Sequence, residues 1–177
     1  MRRDFSVIHS PESAAPDAKK IILPFHDLTQ TAQEIVREIH TRLVEEGIFV
    51  PREDEEAMWN NHHVIIDSSN PDLPLAGASA MHDSDDFTEI TRIWTQENLR
   101  NNGVASAIVR YWIQCIQSKV IGAFTTQEAA KNMLKKNGFE MVGPVNEIQH
   151  YGKSLPMRAQ KYPRGRNPWF LARFSEK

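Results

Sequence analysis

Cysteine is nearly missing from this chain: its 177 residues include one, Cys115. That excludes an internal disulfide framework and a cysteine-rich zinc site, and it fits a reducing compartment. Long apolar runs are missing too. None approaches the roughly 20 residues that a membrane-crossing helix needs, so no membrane is expected as a partner. Arg2 and Arg3 precede no apolar block, so the start does not read as a secretory signal. The expected location is cytoplasmic. The seven histidines lack paired ligand spacing, and no metal is expected. Neither G-x-S-x-G nor G-x-x-x-x-G-K-S/T occurs, which leaves a serine hydrolase or a P-loop NTPase without support.

What is present is ordinary for a soluble protein: 40% hydrophobic and 25% charged residues. The length suits one domain with a single sizeable core. A flexible tail is expected over residues 1–19, where Ser10-Pro11 and Pro16 interrupt a stretch without apolar periodicity, and one domain over 20–177. The charge is uneven. Residues 1–97 carry 8 basic against 19 acidic side chains, a net of −11, and residues 98–177 carry 13 against 4, a net of +9. A polyanionic cofactor held by the second half and a cationic acceptor facing the first would account for this, as would scattered solvated faces.

The order of elements is mixed α/β. Ile21–Phe25 reads as a first strand, confined by Pro24 to an edge or a strand end. Ala32, Ile35, Val36, Ile39 and Leu43 recur at helical spacing, and Gly47 sits where a C-terminal stop belongs. A short helix near Pro51 follows, with Glu53, Asp54, Glu55 and Glu56 at its positive end. Strands are expected at His63–Asp67, Leu75–Met81 and Phe87–Thr95, with turns at Ser68–Asp72 and His82–Asp86. The helix Val104–Gln117 should bury Ala105, Ile108, Val109, Trp112 and Ile116. Cys115 lies on that apolar side and reads as a buried thiol. A strand at Lys119–Phe124, a helix from Gln127 to Asn137 burying Ala130, Met133 and Leu134, a stop at Gly138, and strands at Phe139–Val142 and Trp169–Phe174 complete the order.

One segment carries chemistry. Arg100-Asn101-Asn102-Gly103-Val104-Ala105 joins a strand to a helix N-terminus. Such a loop offers unpaired N–H groups and the positive end of the helix dipole to an anion, and Gly103 permits close approach of a ligand. Ala129 to Phe139 forms a second signature, a helix ending in Gly138-Phe139 before a strand. Together, in this order and separated by one helix and one strand, the two resemble the GNAT family of acyl-CoA-dependent N-acyltransferases. The first matches the family's Q/R-x-x-G-x-G/A pyrophosphate loop, with Ala105 in the last slot. The resemblance covers residues 20–177.

It implies a mostly antiparallel N-terminal meander, then β-α-β-α-β with a splayed parallel strand pair. It implies acetyl-CoA as cosubstrate, its pantetheine arm laid in the splay against Ile93, Trp94 and Thr95. Its diphosphate would be wrapped by Asn101, Asn102, Gly103, Val104, Ala105 and Ser106, with Arg100 adding charge and Asn132 facing the arm. A Trp94 N–H would polarise the thioester carbonyl. Glu89, eleven residues before Arg100, matches the glutamate base of the histone-acetyltransferase branch. The acceptor amine arrives as ammonium and must lose a proton before attack. Alternation places Phe87, Glu89, Thr91 and Ile93 on one face. The plainer reading of Glu89 is a solvent-facing carboxylate pairing with Arg92 or Arg110, and His82 is the alternative base. Many relatives place a general-acid Tyr where this chain has Leu134. Tyr151 is the candidate in its stead, unless the thiolate leaves unassisted.

The implied activity is transfer of an acetyl group to a primary amine, on a cationic small molecule or a protein. A non-catalytic CoA-binding regulatory module is the alternative from another class. A third reading uses the basic loop Lys153–Arg166, with Tyr151 and Tyr162, to reach an RNA-linked amine. A second copy of the chain is a further candidate partner, as a homodimer.

Overall fold

The computed structural model describes residues 20–51, 55–84, 86–144 and 168–174. The expected tail over 1–19, Glu53 and Asp54 of the acidic run, Asp85, Tyr151 and the loop Lys153–Arg166 lie outside the described residues.

Alternation along the strands sorts side chains into two layers. In β2 (His62–Asp67), Val64 and Ile66 join one apolar cluster and Ile65 another. The first cluster lies under α1 (Gln30–Glu45) and α2 (Glu55–Asn60), the second under α3 (Val104–Cys115) and α4 (Glu128–Lys136). Between them runs a seven-stranded sheet. In spatial order its strands are β1 (Lys20–Pro24), β2, β3 (Asn70–Ser84), β4 (Phe87–Thr95), β5 (Val120–Thr125), β7 (Trp169–Phe174) and β6 (Glu140–Pro144). β4 and β5 are parallel, and every other neighbouring pair is antiparallel. Pro24 ends the edge strand, where its missing N–H leaves no ladder position open.

The helices begin and stop for local reasons. Thr29 caps α1 by accepting the Ala32 N–H, and Gly47 (φ 68°) ends it in the left-handed region. Gly138 (φ 82°) ends α4 in the same way. Several expectations shift. Pro51 itself is not helical, and the described residues of α2 are Glu55–Asn60. β3 extends to Ser84, because its pairing with β4 continues to Phe87, so the polar turn shrinks. Ala105, Ile116, Ala130 and Met133 are half-buried, whereas His40 is buried on α1. Cys115 is exposed: α3 ends there and the chain turns extended at Ile116, so the apolar stripe stops short of it.

Gly122 shows how tightly the centre is filled. A Cβ there would stand 2.5 Å from a Phe87 ring carbon and 2.6 Å from one of Phe170. Gly122→Ala should therefore cost about 1–3 kcal/mol. A urea midpoint within error of the wild type would contradict that packing.

Candidate active site

The sheet has an opening. β4 and β5 pair at Phe87–Val120, Thr88–Ile121 and Glu89–Gly122, and no further. β4 continues to Thr95 and β5 to Thr125, where, among the described residues, β5 pairs with β7 alone. The cause lies in β4. Ser79 faces Thr91 and Gly77 faces Trp94, so β4 carries one residue more than β3 over this stretch. Arg92, at φ 52°, is the extra residue, a bulge that turns the strand away from β5.

The bulge also resets the alternation. Ile93 packs into the α3-side cluster, while Trp94 belongs to the α1-side cluster, so Ile93 leaves the face expected for it with Phe87 and Glu89. The amides follow the same logic. The Gln96 N–H bonds to the Leu75 carbonyl at 3.0 Å. Counting back by two turns the Trp94 N–H toward β3 and the amides of Ile93 and Thr95 toward the opening. The expected Trp94 donor thus has its N–H on the wrong edge of the strand. Thr95 Oγ1 is buried and lacks a hydrogen-bond partner among the described residues.

Beyond Thr95 the chain makes a short 3-10 turn (Glu97–Leu99) and enters α3 through Arg100–Gly103. Gly103 (φ 75°) is the N-cap, with no side-chain cap on α3. A Cβ on it would meet nothing within 4 Å, so conformation rather than crowding selects glycine there. The first intrahelical bond runs from Ala107 N–H to Gly103 C=O, which leaves Val104, Ala105 and Ser106 as the uncapped first-turn donors. Asn101 (φ 67°) is exposed. The Asn102 N–H bonds to Leu99 C=O inside the turn and does not serve as a free donor there. Arg100 is exposed and lies 3.5 Å from Glu97.

Asn137 was not singled out by its sequence context. It donates to Ser106 Oγ at 3.1 Å and to Met133 C=O at 2.8 Å, fastening α4 to the first turn of α3. Asn132 is exposed on α4, and Leu134 is fully buried, so α4 itself presents no hydroxyl at that position.

Glu89 stands where the opening begins. It is 4% exposed, which removes the reading of a solvent-facing surface carboxylate. Its sheet neighbours are Met81 and Gly122. Glu89 shares the α1-side face with Ser79 and Trp94, whereas His82 bonds to Thr88 Oγ1 on the opposite face and cannot stand in for it. Arg92 is buried on Glu89's face. It donates to the Val50 carbonyl at 2.6 Å and lies over the Phe49 ring.

Above this face sits a group of rings that composition did not announce. His62 is fully buried. Its Nε2 accepts the Trp94 indole N–H at 3.2 Å, and its Nδ1 lies 2.7 Å from Ser79 Oγ. An indole only donates, so Nδ1 carries the His62 proton. His40 lies tilted against Phe49 and Trp59 and edge-on to His62, with both ring nitrogens unpartnered among the described residues. Burial, and then the Arg92 charge, push His40 down to about 3. Burial pushes His62 well below the ordinary histidine range. Gly77 was the available signal: a glycine inside a strand marks close approach, and here a Cβ would stand 2.6 Å from Trp94 Nε1. Among the described residues no group of three or more His, Cys, Asp or Glu could hold a metal ion, and no helix is long and apolar enough to cross a membrane.

A strand pair open on one side, running into an uncapped helix start, is the arrangement on which the comparisons bear. The family model described as acetyltransferase (GNAT) family matches residues 30–139, well over half the chain. The chain belongs to the GNAT acetyltransferase family.

Solved structures share this fold. N-acetylglutamate synthase from Neisseria gonorrhoeae, in complex with coenzyme A and N-acetyl-glutamate, superposes with a TM-score of 0.70 at 16% identity, over 92% of this chain and 37% of that one. This GNAT chain thus spans little more than a third of that enzyme's length. A putative acetyltransferase from Acinetobacter baylyi ADP1 gives a TM-score of 0.62 at 16% identity, covering 92% and 95% of the two chains. A putative phosphinothricin N-acetyltransferase gives 0.58 at 16%, covering 89% and 99%. At such identities the likeness is one of fold. No curated protein matches the sequence.

The residues present fit acetyl-CoA. Among the described residues, Ile93 and Thr95 line the opening with main-chain groups, Thr95 Oγ1 lacks a partner, and Gly103 faces open space before three uncapped amides.

Proposed function

We propose that this GNAT protein transfers the acetyl group of acetyl-CoA to a primary amine, on a small molecule or a protein, by direct attack. The observation that carries this reading is the bulged end of β4, opened from β5, with the buried carboxylate of Glu89 where the two part. The cosubstrate supplies the acetyl group as a thioester. Val104, Ala105 and Ser106 hold its diphosphate through their N–H groups, and the edge of Ile93 and Thr95 takes the pantetheine arm as an added strand would be taken. The Ile93 N–H is the amide best placed to donate to the thioester carbonyl, a role the strand alternation moves from Trp94.

The acceptor nitrogen gives a proton to Glu89, directly or through one water, and forms a bond to the acetyl carbon as the carbon–sulfur bond breaks. The second nitrogen proton, lost as the amide forms, passes through Tyr151 or water to the departing thiolate. Asn101, Asn102, Arg100 and Asn132 have supporting roles at the surface of the nucleotide site: side-chain contacts for the asparagines and charge for Arg100.

Calorimetry with acetyl-CoA, followed by thiol release across a panel of amines, tests this. Heat of binding, a raised melting temperature and thiol release with at least one amine are expected. A folded protein that shows neither heat nor thermal shift with acetyl-CoA or CoA would overturn the reading.

A further inference from the structure

We infer that His62 is a positioning residue for the cosubstrate: it fixes the bulge of β4 and thereby aims the Ile93 and Thr95 amides into the opening. The inference rests on the reading of that opening as the site of the pantetheine arm. His62 lies on β2, two strands away, yet it holds both flanks of the bulge. Ser79, bonded to its Nδ1, faces Thr91 just before the extra residue, and Trp94, bonded to its Nε2, stands two residues after it. The two rings lie nearly parallel, 14° apart, over Gly77.

Only a side chain with one donor and one acceptor at opposite ends can serve both bonds. A neutral imidazole does so, and its confinement between Trp59, His40 and Trp94 leaves it no other orientation. Without the clamp, the Trp94 indole loses its acceptor and Ser79 its donor. The extra residue can then slide along β4, and a slip of one position exchanges the outward amides for inward ones.

Two ligands separate this role from a merely structural one. CoA contains the pantetheine arm. Adenosine 3′-phosphate 5′-diphosphate lacks it and tests the loop at α3 alone. By calorimetry, His62→Leu should weaken CoA about tenfold, the effect of one or two lost hydrogen bonds, and leave the nucleotide fragment within about twofold. His62→Gln, whose terminal amide offers an acceptor beside a donor and can keep one of the two bonds, should recover part of the CoA binding. Trp94→Phe removes the indole N–H together with part of the ring's bulk and should repeat the His62→Leu result, which keeps the test open should His62→Leu fail to fold. CoA bound as tightly by His62→Leu and by Trp94→Phe as by the wild type, or equal losses for both ligands, would overturn the inference. A wild-type protein that binds neither ligand would instead sink the acetyl-CoA reading, and this inference with it.

Discussion

Glu89→Gln is expected to lower turnover by about 10²- to 10⁴-fold at neutral pH, the usual contribution of a positioned general base. The substitution preserves size and hydrogen-bonding capacity and removes the ability to take a proton. Glu89 occupies the last rung of the β4–β5 ladder, and the uncapped amides proposed to hold the diphosphate begin fifteen residues later, at Val104. Acetyl-CoA affinity should therefore stay within about twofold, since no donor to the cosubstrate is altered. The loss should shrink as pH rises and more acceptor is already deprotonated. The assay is steady-state thiol release with the amine that the wild-type protein uses best. An unchanged rate across the pH range would take Glu89 out of the reaction.

The second large effect concerns acid. His40 is held down at about 3 and His63 at about 4, with His62 well below its ordinary value, all mainly by burial. These histidines are neutral in the fold, while in the unfolded chain they take up protons near pH 6.5. The unfolded state therefore binds more protons below that pH, and stability falls as pH falls, until the folded values are reached. Each such histidine contributes up to about 1.4 kcal/mol per pH unit across its window. Urea midpoints should drop steeply from pH 6.5 to 4. Most of the fall should come from His40 and His62, because His63 is only partly buried. His40→Phe should flatten the profile, and a flat wild-type profile would contradict the neutral cluster.

Much of this architecture was legible in the chain. The period-two run Phe87–Thr95 and the left-handed stops at Gly47 and Gly138 appear where their residues point, because a single local rule decides each. The start of α3 was legible for the same reason: Gly103 must adopt a conformation that other residues resist.

What escaped depends on contacts distant in sequence. The register slip at Arg92 follows from how β4 meets β3, and no periodicity within β4 announces it. It moved the amide assignment from Trp94 to Ile93 and turned Ile93 to the other layer. His62 and His63 look alike in sequence, yet alternation sends one to Trp94 and the other to Tyr111. Asn137 reads as a helix end and serves as a brace for Ser106.

The grip of Arg92 on the Val50 carbonyl has a further consequence. The additional residue of β4 and the connection between α1 and α2 are mechanically yoked, so displacement of one pulls on the other. If the amine lodges beside that connection, its binding and the binding of acetyl-CoA are thermodynamically linked. Each would then alter the affinity for the other by the same factor.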